Sequence, residues 1–136
     1  MKSSFNHVQF NIDPANVGFY RDLFGFLGWT TIWEDTTEGY IGVGDGHGSL
    51  WFMGGANDSV NDHDGPGLNH LGIGTETQEQ VDETVAYLRA RNVELLYGTP
   101  CHRPEYAGED GVYYSAMFES PDKILLEVVY TGSKEG

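Results

Sequence analysis

Two stretches of the chain repeat the same order of apolar and polar positions. Residues 6–10 (Asn-His-Val-Gln-Phe) and 69–73 (Asn-His-Leu-Gly-Ile) alternate in the manner of a half-buried strand. They lie 63 residues apart, and each precedes apolar residues at the three-to-four spacing of an amphipathic helix. The pattern predicts two copies of one structural unit.

The first copy predicts one helix and then three strands. Asp13 and Pro14 mark the helix start, because aspartate caps a first turn and proline is favoured at the first helical position. Gly25 or Gly28 can end this helix. Strand-like patterns follow at 29–33, 40–43 and 49–53.

The second copy predicts the same order. Thr77 and Gln80 form a capping-box pattern, and the apolar helix face that follows closes near Asn92. Strand patterns lie at 93–97, 112–118 and 124–130, and the segment 98–111 is predicted to be a longer polar loop. Such a loop is either a lid over a site or an excursion of the chain.

The element order βαβββ, present twice, predicts an α+β fold of two modules within one domain, 1–136. Module one spans 1–56 and module two spans 68–136. The segment 57–67, rich in Asn, Asp and Gly, is the predicted linker.

The charge balance restricts the partners. The 136 residues include 7 Lys and Arg against 21 Asp and Glu, which gives a net charge of −14. An acidic surface is repelled by phosphate backbones and anionic lipids, so neither nucleic acid nor membrane is a predicted partner. Cys101 is the only cysteine, and the first residues lack the apolar core of a signal peptide, so we expect a cytoplasmic protein.

Three residues form the candidate chemical site. His7 and His70 occupy equivalent places in the two copies, and the last strands align Trp51 with Glu127. Glu127 interrupts an apolar strand, where an unpaired carboxylate is costly to bury. Two imidazoles and one carboxylate can bind a divalent ion such as Zn²⁺, Mn²⁺, Fe²⁺ or Ni²⁺ and leave coordination positions open.

Each candidate also has a structural interpretation. A single histidine such as His7 or His70 is more often a hydrogen-bonded structural residue, and Glu127 alone is compatible with a solvent-facing edge. The other histidines are expected on surface turns, and the lone thiol is expected to be an inert loop residue; these are His47, His63, His102 and Cys101.

The chain resembles the vicinal oxygen chelate superfamily, which groups glyoxalase I, bleomycin-resistance proteins, fosfomycin-resistance enzymes and extradiol dioxygenases. The resemblance is carried by the His7 strand and by residues 19–26, 48–51, 69–73 and 120–127. It implies paired βαβββ modules that form an incomplete mixed-sheet barrel around a metal or ligand pocket. It also implies a homodimer.

The resemblance places His7, His70 and Glu127 at the metal-ligand positions of the superfamily. The fourth position, a glutamate in glyoxalase I, is Trp51 here, which disfavours the lactoylglutathione reaction. Trp51 looks more like the residue found in the fosfomycin-resistance enzymes. Those enzymes need basic and hydroxyl groups for a phosphonate, and Arg103 is the one plausible loop cation here, which disfavours phosphonate binding. Extradiol dioxygenases typically have longer chains of four modules, so their reaction is a weaker match to this chain. Lys123 replaces the glycine usual in the final turn, which is expected to disturb the entry to the Glu127 strand.

The leading hypothesis is a metal-dependent enzyme, with lyase, isomerase or transferase chemistry on a small oxygen-chelating molecule. Trp51 would form an apolar wall, and Gln9, Met117 and Arg103 would line the pocket; no catalytic residue is assigned. The alternative is a non-catalytic binding protein of the bleomycin-resistance type, whose acidic, aromatic pocket would suit a flat cationic ligand.

Overall fold

The chain is divided into two units, each with the predicted βαβββ order. The computed structural model describes residues 1–109 and 111–133, with a first unit Met1–Val60 and a second unit from Asn61 onward. The boundary falls inside the segment predicted to be a linker. Neither helix of the described residues is long and apolar enough to cross a membrane.

The first unit is a four-stranded mixed sheet with one helix. Its elements are β1 (His7–Ile12), α1 (Val17–Phe26), β2 (Thr30–Asp35), β3 (Tyr40–Gly44) and β4 (Ser49–Gly54). The strand order is β1-β4-β3-β2, with β1 parallel to β4 and the other pairs antiparallel.

The predicted helix start of the first unit is present, but it begins with a 3₁₀ turn. The Asp13 side chain accepts a hydrogen bond of 2.9 Å from the Ala15 amide, and residues 14–16 form that turn before α1 begins. Gly28 takes a φ of +86° just after the helix, a backbone conformation that glycine adopts without steric cost. The helix packs on the sheet through Tyr20, whose ring stacks on Phe52 at 4.1 Å.

The second unit repeats this architecture. Its elements are β5 (Leu71–Thr75), α2 (Gln78–Ala90), β6 (Leu96–His102), β7 (Gly111–Glu119) and β8 (Leu125–Ser133), in the strand order β5-β8-β7-β6. The predicted capping box is confirmed, because the Gln80 amide donates to the Thr77 hydroxyl and the Thr77 amide donates to the Gln80 side chain. β5 is parallel to β8, as β1 is to β4.

The two four-stranded mixed sheets with their helices confirm the predicted α+β class. Each sheet taken by itself is open rather than closed into a barrel, because each of its two outer strands has a neighbouring strand on one side within that sheet. In both units the outer strands are the first and the second strand of the βαβββ order.

The predicted loop at 98–111 is wrong over residues 98–102, because β6 extends to His102. Gly98 and Pro100 break the apolar pattern, but proline is tolerated in an edge strand, where no second neighbour needs its missing amide. The Thr99 hydroxyl replaces part of the strand ladder, since it accepts from the Met117 amide at 2.9 Å and donates to the Leu96 carbonyl at 2.7 Å. Asp110, also in the predicted loop, lies outside the described residues.

Candidate functional site

Strand pairing decides which residues face away from each helix. In the second unit the Tyr114 hydroxyl hydrogen-bonds Asp82 of α2, so the alternate β7 residues Tyr113 and Met117 lie on the opposite face. Met117 pairs with Glu127, which places Glu127 on that same opposite face. We call this surface the open face of the second sheet.

The first sheet has an equivalent open face. Phe52 contacts α1, so its neighbour Trp51 faces away from the helix, and Gln9 is its partner in β1. In the second sheet Gly72 is the β5 partner of Glu127. In each sheet, the residue two positions after the histidine pairs with the aligned residue of the last strand: Gln9 with Trp51, and Gly72 with Glu127. This equivalence agrees with the sequence alignment of Trp51 with Glu127.

His70 and Glu127 are brought together on the second open face. The His70 Nε2 atom lies 3.7 Å from Oε1 of Glu127. Glu127 is only 5% exposed, so it does not face solvent at an edge. The His70 side chain is 37% exposed, which leaves one side of the pair accessible to a ligand.

The hydrogen bonds around His70 select one form of its ring. Nδ1 lies 2.7 Å from Oδ1 of Asn69, while Nδ2 of the same amide donates to the His63 carbonyl at 3.0 Å. This second bond orients the amide, so its oxygen can only accept from the imidazole. The proton of a neutral ring therefore resides on Nδ1, and Nε2 directs a lone pair toward the Glu127 carboxylate.

Tyr113 supplies a further partner that the sequence did not reveal. Its hydroxyl donates a hydrogen bond of 2.8 Å to Oε1 of Glu127. Burial of the phenol, together with this carboxylate, raises the pKa of Tyr113 to about 12. Tyr113 is therefore a proton-bearing donor at neutral pH, and Oε2 of Glu127 keeps its capacity for another ligand. Strand alternation from Met117 was the one available signal for this residue.

His7 has the same local environment in the first unit. It is exposed at the start of β1, and its Nδ1 lies 2.6 Å from Oδ1 of Asn6. Within residues 1–109 and 111–133, no three His, Cys, Asp or Glu side chains are grouped so as to hold a metal ion. The structure thus brings together His70 and Glu127 of the predicted ligands, and His7 occupies the corresponding place in the other unit.

Trp51 lies flat against a glycine of the neighbouring strand. Its indole Nε1 donates to the Ser49 hydroxyl at 2.9 Å, and the ring occupies the space that a Cβ atom on Gly42 would need. A groove of about 370 Å³ opens in the same unit; it is lined by Asn6, Thr30, Ile32, Gly44, Gly46, His47, Gly48 and Ser49. Ser49 therefore both lines this groove and accepts the hydrogen bond of the Trp51 indole.

The remaining predicted pocket residues have separate surroundings. Gln9 is exposed opposite Trp51, and Met117 is half-buried opposite Glu127. The Arg103 guanidinium donates to the Tyr97 carbonyl at 2.7 Å, so one of its donors is already used within the β6 region.

The expectation that His63 is a surface residue on a turn is right about the turn but not about the exposure. Its side chain is only 12% exposed, and Nε2 lies 3.1 Å from Oε2 of Glu119, because the segment before β5 folds back onto the end of β7. His47 and His102 are exposed as expected, but His102 is the last residue of β6 and does not lie on a turn. Cys101 is a half-buried free thiol within β6 rather than a loop residue.

Comparisons with known proteins agree with this architecture. The relative YqjT of Bacillus subtilis (strain 168), an uncharacterised protein, is 40% identical over 63 residues, which is 46% of each chain, so the match spans about half of that relative. A candidate glyoxalase from Bacillus halodurans superposes with a TM-score of 0.74 at 26% identity, over 93% of this chain and 94% of that one. A lactoylglutathione lyase from Agrobacterium tumefaciens gives 0.62 at 17% identity, over 95% and 94%, a likeness of fold alone.

The family model covers most of the chain. It is that of the Glyoxalase/Bleomycin resistance protein/Dioxygenase superfamily, and it matches residues 5–128. The matched range contains both helices and both histidines at the repeat-equivalent positions. The chain therefore belongs to the Glyoxalase/Bleomycin resistance protein/Dioxygenase superfamily.

Proposed function

We propose that this protein is a metal-dependent enzyme that acts on a small molecule with chelating oxygen atoms. The observation that carries the proposal is the approach of His70 Nε2 to Oε1 of Glu127 at 3.7 Å. An imidazole nitrogen and a buried carboxylate attract each other when either a proton on the ring or a metal ion lies between them. A divalent ion satisfies both groups and suits their chemistry.

The ligands in this proposal are His70 and Glu127, with His7 as the predicted third. Zn²⁺, Mn²⁺, Fe²⁺ or Ni²⁺ bound there would supply Lewis acidity toward a substrate oxygen, as lyase, isomerase or transferase reactions require. Asn69 and Tyr113 hold the two protein ligands in position, and Trp51 forms an apolar wall of the first unit's open face. Because Trp51 carries no carboxylate, a proton transfer of the lactoylglutathione type lacks its base on that face.

The proposal extends to assembly and location. We expect a homodimer in the cytoplasm that binds a small-molecule ligand. Light scattering after size exclusion, with twice the mass of one chain, would support the dimer, and a species with the mass of one chain would contradict it.

Metal analysis of the gently purified protein tests the proposed function. We expect a stoichiometric divalent ion in the wild type, its loss in His70→Ala and Glu127→Gln, and weaker retention in His7→Ala. His102→Ala is the matched control, because His102 is exposed and its ring contacts that of Tyr114, on the helix face of the sheet. This control should keep the ion.

The opposite result would favour the binding-protein alternative. If the wild type holds no ion, and Zn²⁺, Mn²⁺, Ni²⁺ or anaerobic Fe²⁺ does not raise its Tm, the metal-dependent proposal fails. Ligand binding that survives both a chelator and His70→Ala would then identify a non-catalytic module.

A further inference from the structure

We propose that Asn69 is a positioning residue that selects the Nδ1–H tautomer of His70. The value of this selection for metal binding rests on the proposed function, but the selection itself does not. A neutral imidazole has one nitrogen available as a ligand, and the hydrogen bond at the other nitrogen decides which one it is.

The first support is the orientation of the Asn69 amide. An isolated asparagine beside a histidine can present either its oxygen or its nitrogen to the ring. Here Nδ2 is 3.0 Å from the His63 carbonyl, an atom that only accepts, so Nδ2 must face that carbonyl and Oδ1 must face the ring. The contact of 2.7 Å between Oδ1 and His70 Nδ1 is therefore a hydrogen bond with the proton on the ring.

The second support is the way the His63 carbonyl is held in place. The His63 side chain is anchored on Glu119 at 3.1 Å, and Asn61, two residues earlier, donates to the Lys123 carbonyl at 2.8 Å. Both contacts fasten the segment before β5 to the end of β7 and to the turn before β8. The acceptor that orients Asn69 is thus part of a fixed segment rather than of a free loop.

The third support is the repetition of the pair in the first unit. Asn6 and His7 make the same Oδ1 to Nδ1 contact at 2.6 Å, where β1 begins, and Asn69 and His70 directly precede β5. Two occurrences of one local geometry at repeat-equivalent positions point to a shared role. The bond that orients the amide is present for Asn69, through the His63 carbonyl.

Nitrogen-15 NMR of the metal-free full chain tests the proposal directly. At a pH of about 8.5, where a free imidazole is neutral, we expect the His70 signals to show a protonated Nδ1 and an unprotonated Nε2. In Asn69→Leu the ring should shift toward the Nε2–H form that a solvent-exposed histidine side chain prefers. Asn69→Asp keeps an acceptor oxygen and should restore the Nδ1–H form.

Two variants serve as controls. Asn57→Leu removes an asparagine whose Oδ1 accepts from the Ser59 amide and which has no part in orienting Asn69, so the His70 tautomer should stay unchanged. Asn6→Leu should alter His7 and leave His70 as it is. Metal titration of the same proteins should show that Asn69→Leu lowers affinity by about 10- to 100-fold, as loss of a partner behind a metal ligand does, while Asn57→Leu does not.

The outcomes separate the two proposals. If Asn69→Leu leaves the His70 tautomer unchanged, or if wild-type His70 carries its proton on Nε2, the positioning role is wrong whatever metal is bound. If the tautomer changes as expected but no metal binds, the positioning role is supported and the proposed function fails.

Discussion

Tyr113 donates a hydrogen bond of 2.8 Å to Oε1 of Glu127, a carboxylate that is 5% exposed within the strand β8. Glu127 is surrounded along its own strand by Leu126 and Val128, which offer it no polar partner. A buried carboxylate without donors is strongly disfavoured, so this phenol contributes to the folded state whether or not a metal is present.

Removal of this donor should destabilise the protein. Tyr113→Phe leaves Glu127 with one fewer partner, and we expect the free energy of unfolding of the metal-free protein to fall by about 1–3 kcal/mol. Tyr114→Phe is the control, because it removes a hydroxyl whose bond to Asp82 lies near solvent. Urea unfolding of both variants is the measurement, and an equal or smaller loss in Tyr113→Phe would contradict the prediction.

The same phenol predicts a loss of stability in alkali. The pKa of Tyr113 is about 12 in the folded protein, chiefly because of burial, against 10.0 for an ordinary tyrosine. A raised folded pKa means that the unfolded state loses its proton first. The stabilisation is therefore complete below about pH 10 and is lost as the pH rises toward 12.

Alkaline titration checks this expectation. The free energy of unfolding should fall more steeply between pH 10 and 12 in the wild type than in Tyr113→Phe, which has no phenol to ionise there. Tyr114, whose pKa is also raised to about 12, contributes equally to both proteins and so cancels from the comparison. Parallel curves for the two proteins would show that Tyr113 ionises like a free tyrosine.

The backbone conformation of Lys123 leads us to expect that its replacement by glycine stabilises the folded protein. It takes a φ of +60° in the turn before β8, a conformation that costs a residue with a Cβ about 1 kcal/mol or more. β8 nevertheless pairs regularly from Leu125, because the Ser120 hydroxyl accepts from the Ile124 amide at 3.2 Å and the turn is closed. The expected disturbance of the strand entry is thus absent, and the turn instead places Lys123 in the left-handed conformation.

Lys123→Gly should therefore raise the free energy of unfolding by about 0.5–1 kcal/mol, after the greater chain entropy of glycine is subtracted. Asn92→Gly is the matched control: Asn92 also has a φ of +60°, but asparagine tolerates that conformation better than lysine does. Its gain should be smaller. No gain, or a loss, in Lys123→Gly would show that the turn is not strained.

The position of the Trp51 ring against the sheet requires glycine at position 42. A Cβ at Gly42 would overlap the indole ring, so Gly42→Ala must displace Trp51 from the sheet. We expect a loss of about 1–3 kcal/mol and a shift of tryptophan fluorescence toward longer wavelength. Gly74→Ala in β5 is the control, since a Cβ there meets no atom within 4 Å. Unchanged fluorescence in Gly42→Ala would show that the indole adapts.

Local sequence signals were sufficient for most of the elements. The alternation around His7 and His70, the Asp13 cap and the Thr77–Gln80 capping box all depend on neighbours a few residues away, and each is present in the structure. The repeat also related Trp51 to Glu127 before any pairing was known. Because these signals act within one turn or one strand, the chain encodes them in its local pattern.

Tertiary packing decided the side-chain partners. β6 was predicted too early, at 93–97, because Gly98 and Pro100 disguise the part of this edge strand that the Thr99 hydroxyl joins to β7. The bond from Tyr113 to Glu127 and the anchoring of His63 on Glu119 join residues 14 and 56 positions apart. The pattern of single residues predicts which faces are apolar, but only the packed sheet decides which polar atoms come within hydrogen-bond distance across strands.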